Sequence, residues 1–225
     1  MSERDGAPTP ADVLRSSRHE SLTGTVDTAF PEYADPPGEP LGLAQRWLAD
    51  AVAHDVREPR SISLATADGR GHVSNRTVAV VELSARGLVF TSHTTSLKAR
   101  NLAENAWASG IFYWRETSQQ MVLSGPVRRL DDGECEELWR ARPAALHPMT
   151  TASRQSESLA DTEALRAEAV RLAVSGVPLP RPDRFAGYLL EPTEVEFWSA
   201  SADRLHHRLR YERIGRTWLW ARLQP

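Results

Sequence analysis

"RSISLATADGRGHVSNRTVAVVELSARGLVFTSH", residues 60–93, decides the architecture. Three runs rich in Val, Ile, Thr and Ser (60–68, 71–83 and 87–93) are separated by the turn signals "ADGRG" and "SARG". Runs of this composition bounded by glycine and small polar residues read as strands. Connections this short can join only antiparallel neighbours, because a parallel crossover needs a dozen residues or more.

The pattern continues outward. "WASGIFYWRE" (107–116) and "SQQMVLSGPVRRL" (118–130) form another strand pair, with Pro126 marking a bulge or an edge because it lacks an amide proton. Four further strands are expected at 185–191, 194–199, 205–213 and 217–223. Helices punctuate the sheet. "PLGLAQRWLADAVAHD" carries Leu41, Ala44, Trp47, Leu48, Ala51 and Val52 at helical spacing behind Pro40. "SLKARNLAENA" is a short helix, "DDGECEELWRARP" one that stops before Pro143, and "DTEALRAEAVRLAVSG" one that ends near Gly176. Residues 1–39, rich in Pro, Gly, Ser and charge, are expected to be flexible until tied down, leaving 40–225 as one domain. Many antiparallel strands with a few peripheral helices make an α+β, mainly antiparallel β-barrel.

A net charge of −3 over 225 residues argues against a protein built for nucleic acid, which asks for a strongly basic domain. One cysteine, Cys135, allows no disulfide within the chain, and no apolar run is long enough to span a bilayer. A cytoplasmic protein with no membrane partner is expected. Dinucleotide-binding, P-loop, zinc-protease and Cys-x-x-Cys patterns are absent, so no metal site is expected. Two charge features stand out. Lys98 is the one lysine among 27 Lys and Arg residues, and a compact ammonium spared from replacement fits either a phosphate site or chance. "ADRLHHRLRYER" (202–213) places Arg204, His206, Arg208 and Arg210 on one face of a strand, a solvated basic surface or one that presents cations to an anion.

The order and spacing of "SNRTVAVVEL", "GLVFTSHTTSLKARNLAENAWASGIFYW", "QQMVLSGPVRRL", "TASRQSESL" and "VEFWSASADRLHHRLRYER" resemble the pyridoxamine 5′-phosphate oxidase family from about residue 40 onward. "LTGTVDTAFPEY", "YWRETSQQ" and "HPMTTASRQSE" are similar to its branch of FMN-dependent oxidases of phenazine biosynthesis. The resemblance implies a homodimeric split barrel with FMN at the subunit interface, oxidising reduced phenazine carboxylates with dioxygen as final acceptor and releasing hydrogen peroxide. It assigns Arg76 and Lys98 to the flavin phosphate and Thr91, Ser92, Gln120, Trp198 and Arg208 to the flavin, with Gln155 and Ser156 supplied by the partner subunit. Arg142, Arg204 and His206 match substrate positions, and His206 is the candidate for proton transfer.

Three departures bear on substrate. Val81, Leu138 and Leu146 stand where pyridoxal-phosphate oxidases carry polar phosphate ligands. Each lost charge-assisted hydrogen bond forfeits roughly 1.5–3 kcal/mol, so vitamin B6 phosphates should be poor substrates. An apolar pocket that keeps arginines suits a flat carboxylated molecule. Leu97 replaces an arginine beside Lys98, and His207 lies on the face away from the expected site. The competing readings are a pyridoxine or pyridoxamine phosphate oxidase and a non-catalytic flavin-binding split-barrel protein.

Overall fold

The structure is a computed structural model that describes residues 24–174 and 176–225. Nine strands, β1 (Ser61–Ala67), β2 (Val73–Ser84), β3 (Gly87–His93), β4 (Trp107–Trp114), β5 (Gln119–Arg129), β6 (Phe185–Leu190), β7 (Glu194–Ser199), β8 (His207–Ile214) and β9 (Thr217–Arg222), are all paired antiparallel. Among the described residues five helices accompany them: α1 (Pro40–Ala53), α2 (Leu97–Glu104), α3 (Asp132–Ala141), α4 (His147–Ala152) and α5 (Thr162–Ala173). The helix caps are those the sequence offers. Ser96 caps α2 by accepting from the Ala99 N–H, and Asp131 with Glu134 forms a capping box on α3. Pro148 opens α4, a helix too short for its periodicity to be read from sequence.

Strands β1, β2, β3, β6, β5 and β4 follow one another around a ring that closes where β4 pairs with β1 on one side and β5 on the other. This six-stranded antiparallel barrel, extended by β7, β8 and β9, is the split barrel expected. Strand β5 makes it possible. Its residues 119–124 pair with both β4 and β7, whereas Val127–Arg129 pair with β6. The change of partner falls at Gly125–Pro126, where the strand bends between the two sheets. The Thr193 N–H bonds to the Ser124 carbonyl and the Glu191 N–H to the Pro126 carbonyl, both at 2.9 Å, so the connection into β7 crosses directly over Gly125.

Side-chain alternation fills the barrel. Ile62, Leu64, Phe112, Trp114, Met121 and Leu123 point inward and are almost inaccessible. Strand β6 departs from alternation, with all six residues buried, because α3 covers its outer face and sets Leu138, beside Leu130 from just past the end of β5, against Gly187. Helix α1 inserts Trp47 edge-on to Phe30 and Phe197, at 4.9 and 5.1 Å between ring centroids. Residues 24–39 are tied down. Tyr33 stacks on His207 at 4.4 Å, the Tyr211 hydroxyl donates to the Pro37 carbonyl, and Arg222 donates to the Tyr33 and Ala34 carbonyls. The rest of the segment read as flexible, 1–23, lies outside the described residues.

The strand expected to begin at 205 begins at His207. Arg204 has φ of +66°, a left-handed conformation that ends any extended run, so the even-numbered basic face holds only for Arg208 and Arg210. Among the described residues no helix is long and apolar enough to cross a membrane.

A side chain at position 125 would place its Cβ 2.3 Å from the Glu191 carbonyl oxygen and 2.9 Å from the Thr193 nitrogen, both backbone atoms with no freedom to move aside. Gly125→Ala is expected to cost about 1–3 kcal/mol and to lower the thermal unfolding midpoint by roughly 5 °C. An unchanged midpoint would show that the crossing can relax.

Candidate functional site

A cavity of about 480 Å³ opens between the outer side of β2 and β3, the start of α2 and the segment that follows α4. Six of the residues singled out from sequence line it: Thr91, Ser92, Lys98, Arg142, Gln155 and Ser156. Ser92 is the hub. Its Oγ accepts from Lys98 Nζ at 3.0 Å, donates to Gln155 Oε1 at 3.1 Å and lies 2.9 Å from Ser96 Oγ. The same Gln155 oxygen accepts the His93 N–H, and Ser156 Oγ accepts the Leu97 N–H at the start of α2. Gln155 and Ser156 therefore join the cavity of their own chain. They do so because the loop after α4 folds back onto β3 and the α2 N-terminus.

The cavity is electropositive. Among the described residues Arg76, Lys98, Arg142 and Arg184 have no carboxylate within ion-pair distance. Arg76, on β2, does not itself line the cavity but lies near enough for its charge to act on Lys98, and it is held by neutral acceptors: the Leu64 carbonyl at 3.1 Å, Thr66 Oγ1 at 2.8 Å and Ser74 Oγ at 2.5 Å. Burial first, then the Arg76 charge, pulls the Lys98 ammonium below its ordinary pKa. Arg142 donates to Thr150 Oγ1 from Nη2, while its buried Nε has no hydrogen-bond partner among the described residues. Lys98 and Arg142, lining a concave site with no carboxylate in ion-pair reach among the described residues, have the chemistry that suits an anion.

His93 was not found from sequence, although it directly follows Thr91 and Ser92. It is 1% exposed and lines the cavity. Its Nδ1 accepts the Gln155 N–H at 3.3 Å, which places the ring proton of the neutral form on Nε2. Thr150 and Phe185 complete this end of the cavity, and Arg184 beneath it donates to the Ser153 and Thr151 carbonyls.

The remaining predicted residues lie elsewhere in the chain. Gln120, Trp198 and Arg208 form one rung across β5, β7 and β8, each opposite the next. Arg208 is committed there, since its guanidinium meets Glu196 Oε1 at 2.7 Å and donates to the Gln224 carbonyl. Arg204 sits in the loop before β8, as does His206, whose ring packs 4.8 Å from that of Trp198 and whose Nδ1 accepts the Ser201 N–H. None of these five lines the cavity of its own chain. Val81 is exposed at a register shift in β2, Leu138 packs on the core and Leu146 is exposed, and none of the three lines the cavity with Arg142. Among the described residues no cluster of His, Cys, Asp and Glu could hold a metal ion.

Burial, and then the charges of Arg184, Lys98 and Arg142, hold the His93 pKa down from 6.5 to about 4, against a weak opposing pull from the Thr150 carbonyl. A folded pKa below the unfolded one means the unfolded chain takes up the proton first. The contribution of a neutral His93 is therefore complete above pH 6.5 and is lost as pH falls toward 4. The free energy of unfolding should drop through that window by at most about 1.4 kcal/mol per pH unit. His93→Asn, which keeps an acceptor for the Gln155 N–H, should flatten the profile; an unaltered slope would show that another group carries it.

Residues 48–175 match the family model described as pyridoxamine 5′-phosphate oxidase, and residues 185–225 match the pyridoxine 5′-phosphate oxidase C-terminal dimerisation region. The dihydrophenazinedicarboxylate synthase of Burkholderia lata is 53% identical over 212 residues, covering 94% of this chain and 100% of that protein. The crystal structure of PhzG from Burkholderia lata in complex with tetrahydrophenazine-1-carboxylic acid superposes with a TM-score of 0.87 at 53% identity, covering 90% of this chain and 100% of that one. The pyridoxine/pyridoxamine 5′-phosphate oxidase of Actinobacillus succinogenes is 33% identical over 188 residues, covering 83% and 90%. With more than half its length inside the family model and an electropositive cavity built from the motif residues, the chain belongs to the pyridoxamine 5′-phosphate oxidase family.

Proposed function

We propose that the protein is an FMN-dependent oxidase of phenazine biosynthesis that aromatises reduced phenazine carboxylates. The observation that carries the reading is a cavity whose cations lack counter-charges, in a chain 53% identical over 94% of its length to a dihydrophenazinedicarboxylate synthase. The residues present suit the cofactor. Arg76 and Lys98, with Ser92, Gln155 and Ser156 around them, would take the phosphate dianion at the start of α2, where the helix dipole adds favourable potential. Bound FMN would supply a two-electron acceptor that takes hydride from the substrate and passes the electrons to dioxygen, yielding hydrogen peroxide.

The chain's own groups bind and orient. Arg142, with its unpartnered Nε and its Nη2 on Thr150, would hold the substrate carboxylate in a bidentate pair. Phe185 offers an apolar wall for a flat ring. No titratable group at the cavity is placed as an obligatory base, and the resonance gained on aromatisation lessens the need for one. His206 remains the candidate for proton transfer, in the second half of the site.

That second half would come from another copy. The outer row of β2, Val73, Asn75, Thr77, Ala79 and Val81, is exposed although β2 is an interior strand of the barrel, and its middle lines the cavity. An uncovered small and apolar sheet face of this kind fits a subunit interface, and the matched C-terminal region carries the dimerisation description. In the homodimer the Gln120–Trp198–Arg208 rung, with Arg204 and His206, would face the partner's cavity. Arg208 arrives already paired with Glu196, so its role is a directed hydrogen bond more than a free charge.

Purified protein should be yellow and release FMN on denaturation, and it should consume oxygen with dihydro- or tetrahydrophenazine carboxylates far faster than with pyridoxamine 5′-phosphate. Comparable turnover of the B6 phosphate would make it a pyridoxamine phosphate oxidase, and flavin that no substrate bleaches under anaerobic conditions would make it a flavin carrier. Arg142→Ala should raise KM roughly 10- to 100-fold, the loss of one charged hydrogen-bonding group, with flavin content unchanged. Arg208→Ala should instead lower flavin content; the reverse pattern would exchange the two roles.

A further inference from the structure

Arg76 and Lys98 carry like charges close enough for one to depress the pKa of the other, yet no carboxylate stands near either among the described residues to hold them together. Left to themselves they would move apart. What keeps Arg76 in place is a bracket of neutral oxygens. Thr66 and Ser74 face each other across β1 and β2, and their hydroxyls receive Arg76 Nη1 and Nη2. A third residue closes the bracket. Asn101, 4% exposed on α2, donates both hydrogens of its amide to those same two oxygens, to Thr66 Oγ1 at 3.1 Å and to Ser74 Oγ at 2.9 Å.

The placement has consequences. Asn101 follows Lys98 by three residues and so lies on the same face of α2. One side chain thereby ties the helix that carries the lysine to the strand pair that carries the arginine. It also fills the second acceptor position of each hydroxyl oxygen, so those oxygens are fixed as acceptors toward Arg76. The bracket remains neutral throughout. Arg76 is immobilised without being neutralised, and its charge stays available to an incoming anion.

We propose that Asn101 is a positioning residue for the phosphate end of the cavity: through Thr66 and Ser74 it sets the spacing of Arg76 and Lys98 that a phosphate monoester dianion requires, without touching the ligand. The inference rests on the reading of the cavity as an FMN site. It differs from a packing role in what it predicts, because it concerns the phosphate and leaves the ring system alone.

Dissociation constants of full-length apoprotein for FMN and for riboflavin, which lacks the phosphate, separate the two. The unaltered protein should prefer FMN strongly. In Asn101→Ala that preference should shrink about tenfold, the worth of one hydrogen-bonding group, with riboflavin affinity unchanged. In Asn101→Asp, which sets a carboxylate against the bracket and draws on the Arg76 charge, it should shrink roughly a hundredfold. Should the Asn101 variants fail to fold by circular dichroism, Ser74→Ala, which deletes one bridging oxygen and spares the helix, must reduce the preference in the same way. Equal losses for FMN and riboflavin, or a preference preserved in the variants, would overturn the positioning role while leaving the cofactor reading intact. An unaltered protein that does not distinguish FMN from riboflavin would overturn both.

Discussion

The structure depends on one strand serving two sheets. Strand β5 bonds to β4 and β7 along its first half and to β6 along its last three residues, and the exchange requires a backbone that can be crossed at van der Waals distance. Gly125 permits the crossing, and Pro126, with no amide proton to leave unsatisfied, sits where the pairing changes. The barrel closes through the first half of β5, and the β7–β8–β9 extension, with its Trp198 and Arg208, grows from the same residues. Both halves of the proposed site therefore take their positions from a single bend.

The cavity accepts an electrostatic cost. Cations half-withdrawn from water and close to one another raise the energy of the unliganded chain, and the protein holds them with hydroxyls, carbonyls and amides in place of carboxylates. The contrast with the surface is plain, where Arg86, Arg171 and Arg210 each meet a glutamate. Withholding counter-charges leaves a site whose potential is relieved by a dianion. His93, neutral and buried at its edge, fits the same economy, since a further positive charge there would add to the repulsion. Lys98 is suited to this position by its single compact ammonium, which reaches Ser92 Oγ along a flexible stem.

Much of this was legible in residue order. The strand alternation, the glycine and proline turns and the helix caps are local, and each places its element within a few residues of where it lies. Thr91 and Ser92 were legible through the family resemblance, and Lys98 through that and its being the one lysine, and the three come together because they lie on consecutive elements joined by a short turn. The role of His93 was not, since its significance comes from a hydrogen bond to Gln155, 62 residues away. Asn101 was hidden likewise: an asparagine in a short helix is unremarkable until Thr66 and Ser74 are brought beneath it. The strand through "ADRLHHRLRYER" began later than its period-two pattern implies, because a left-handed Arg204 ends the preceding loop and no local propensity announces that conformation.

The sequence by itself determined the antiparallel barrel, through local periodicity and turn chemistry, and, through the resemblance that its motifs carry, membership of the pyridoxamine 5′-phosphate oxidase family. Tertiary structure alone decided how the residues of those motifs divide. Lys98, Arg142, Gln155 and Ser156 gather in one cavity, while Gln120, Trp198 and Arg208 align on a separate rung. The run of basic residues near the C-terminus thus belongs to several environments: a turn at Arg204, a ring contact at His206, a stack on Tyr33 at His207 and ion pairs at Arg208 and Arg210. The physical reason is that the pairing of distant strands sets which side chains share a volume, and that pairing is settled by closure of the whole barrel.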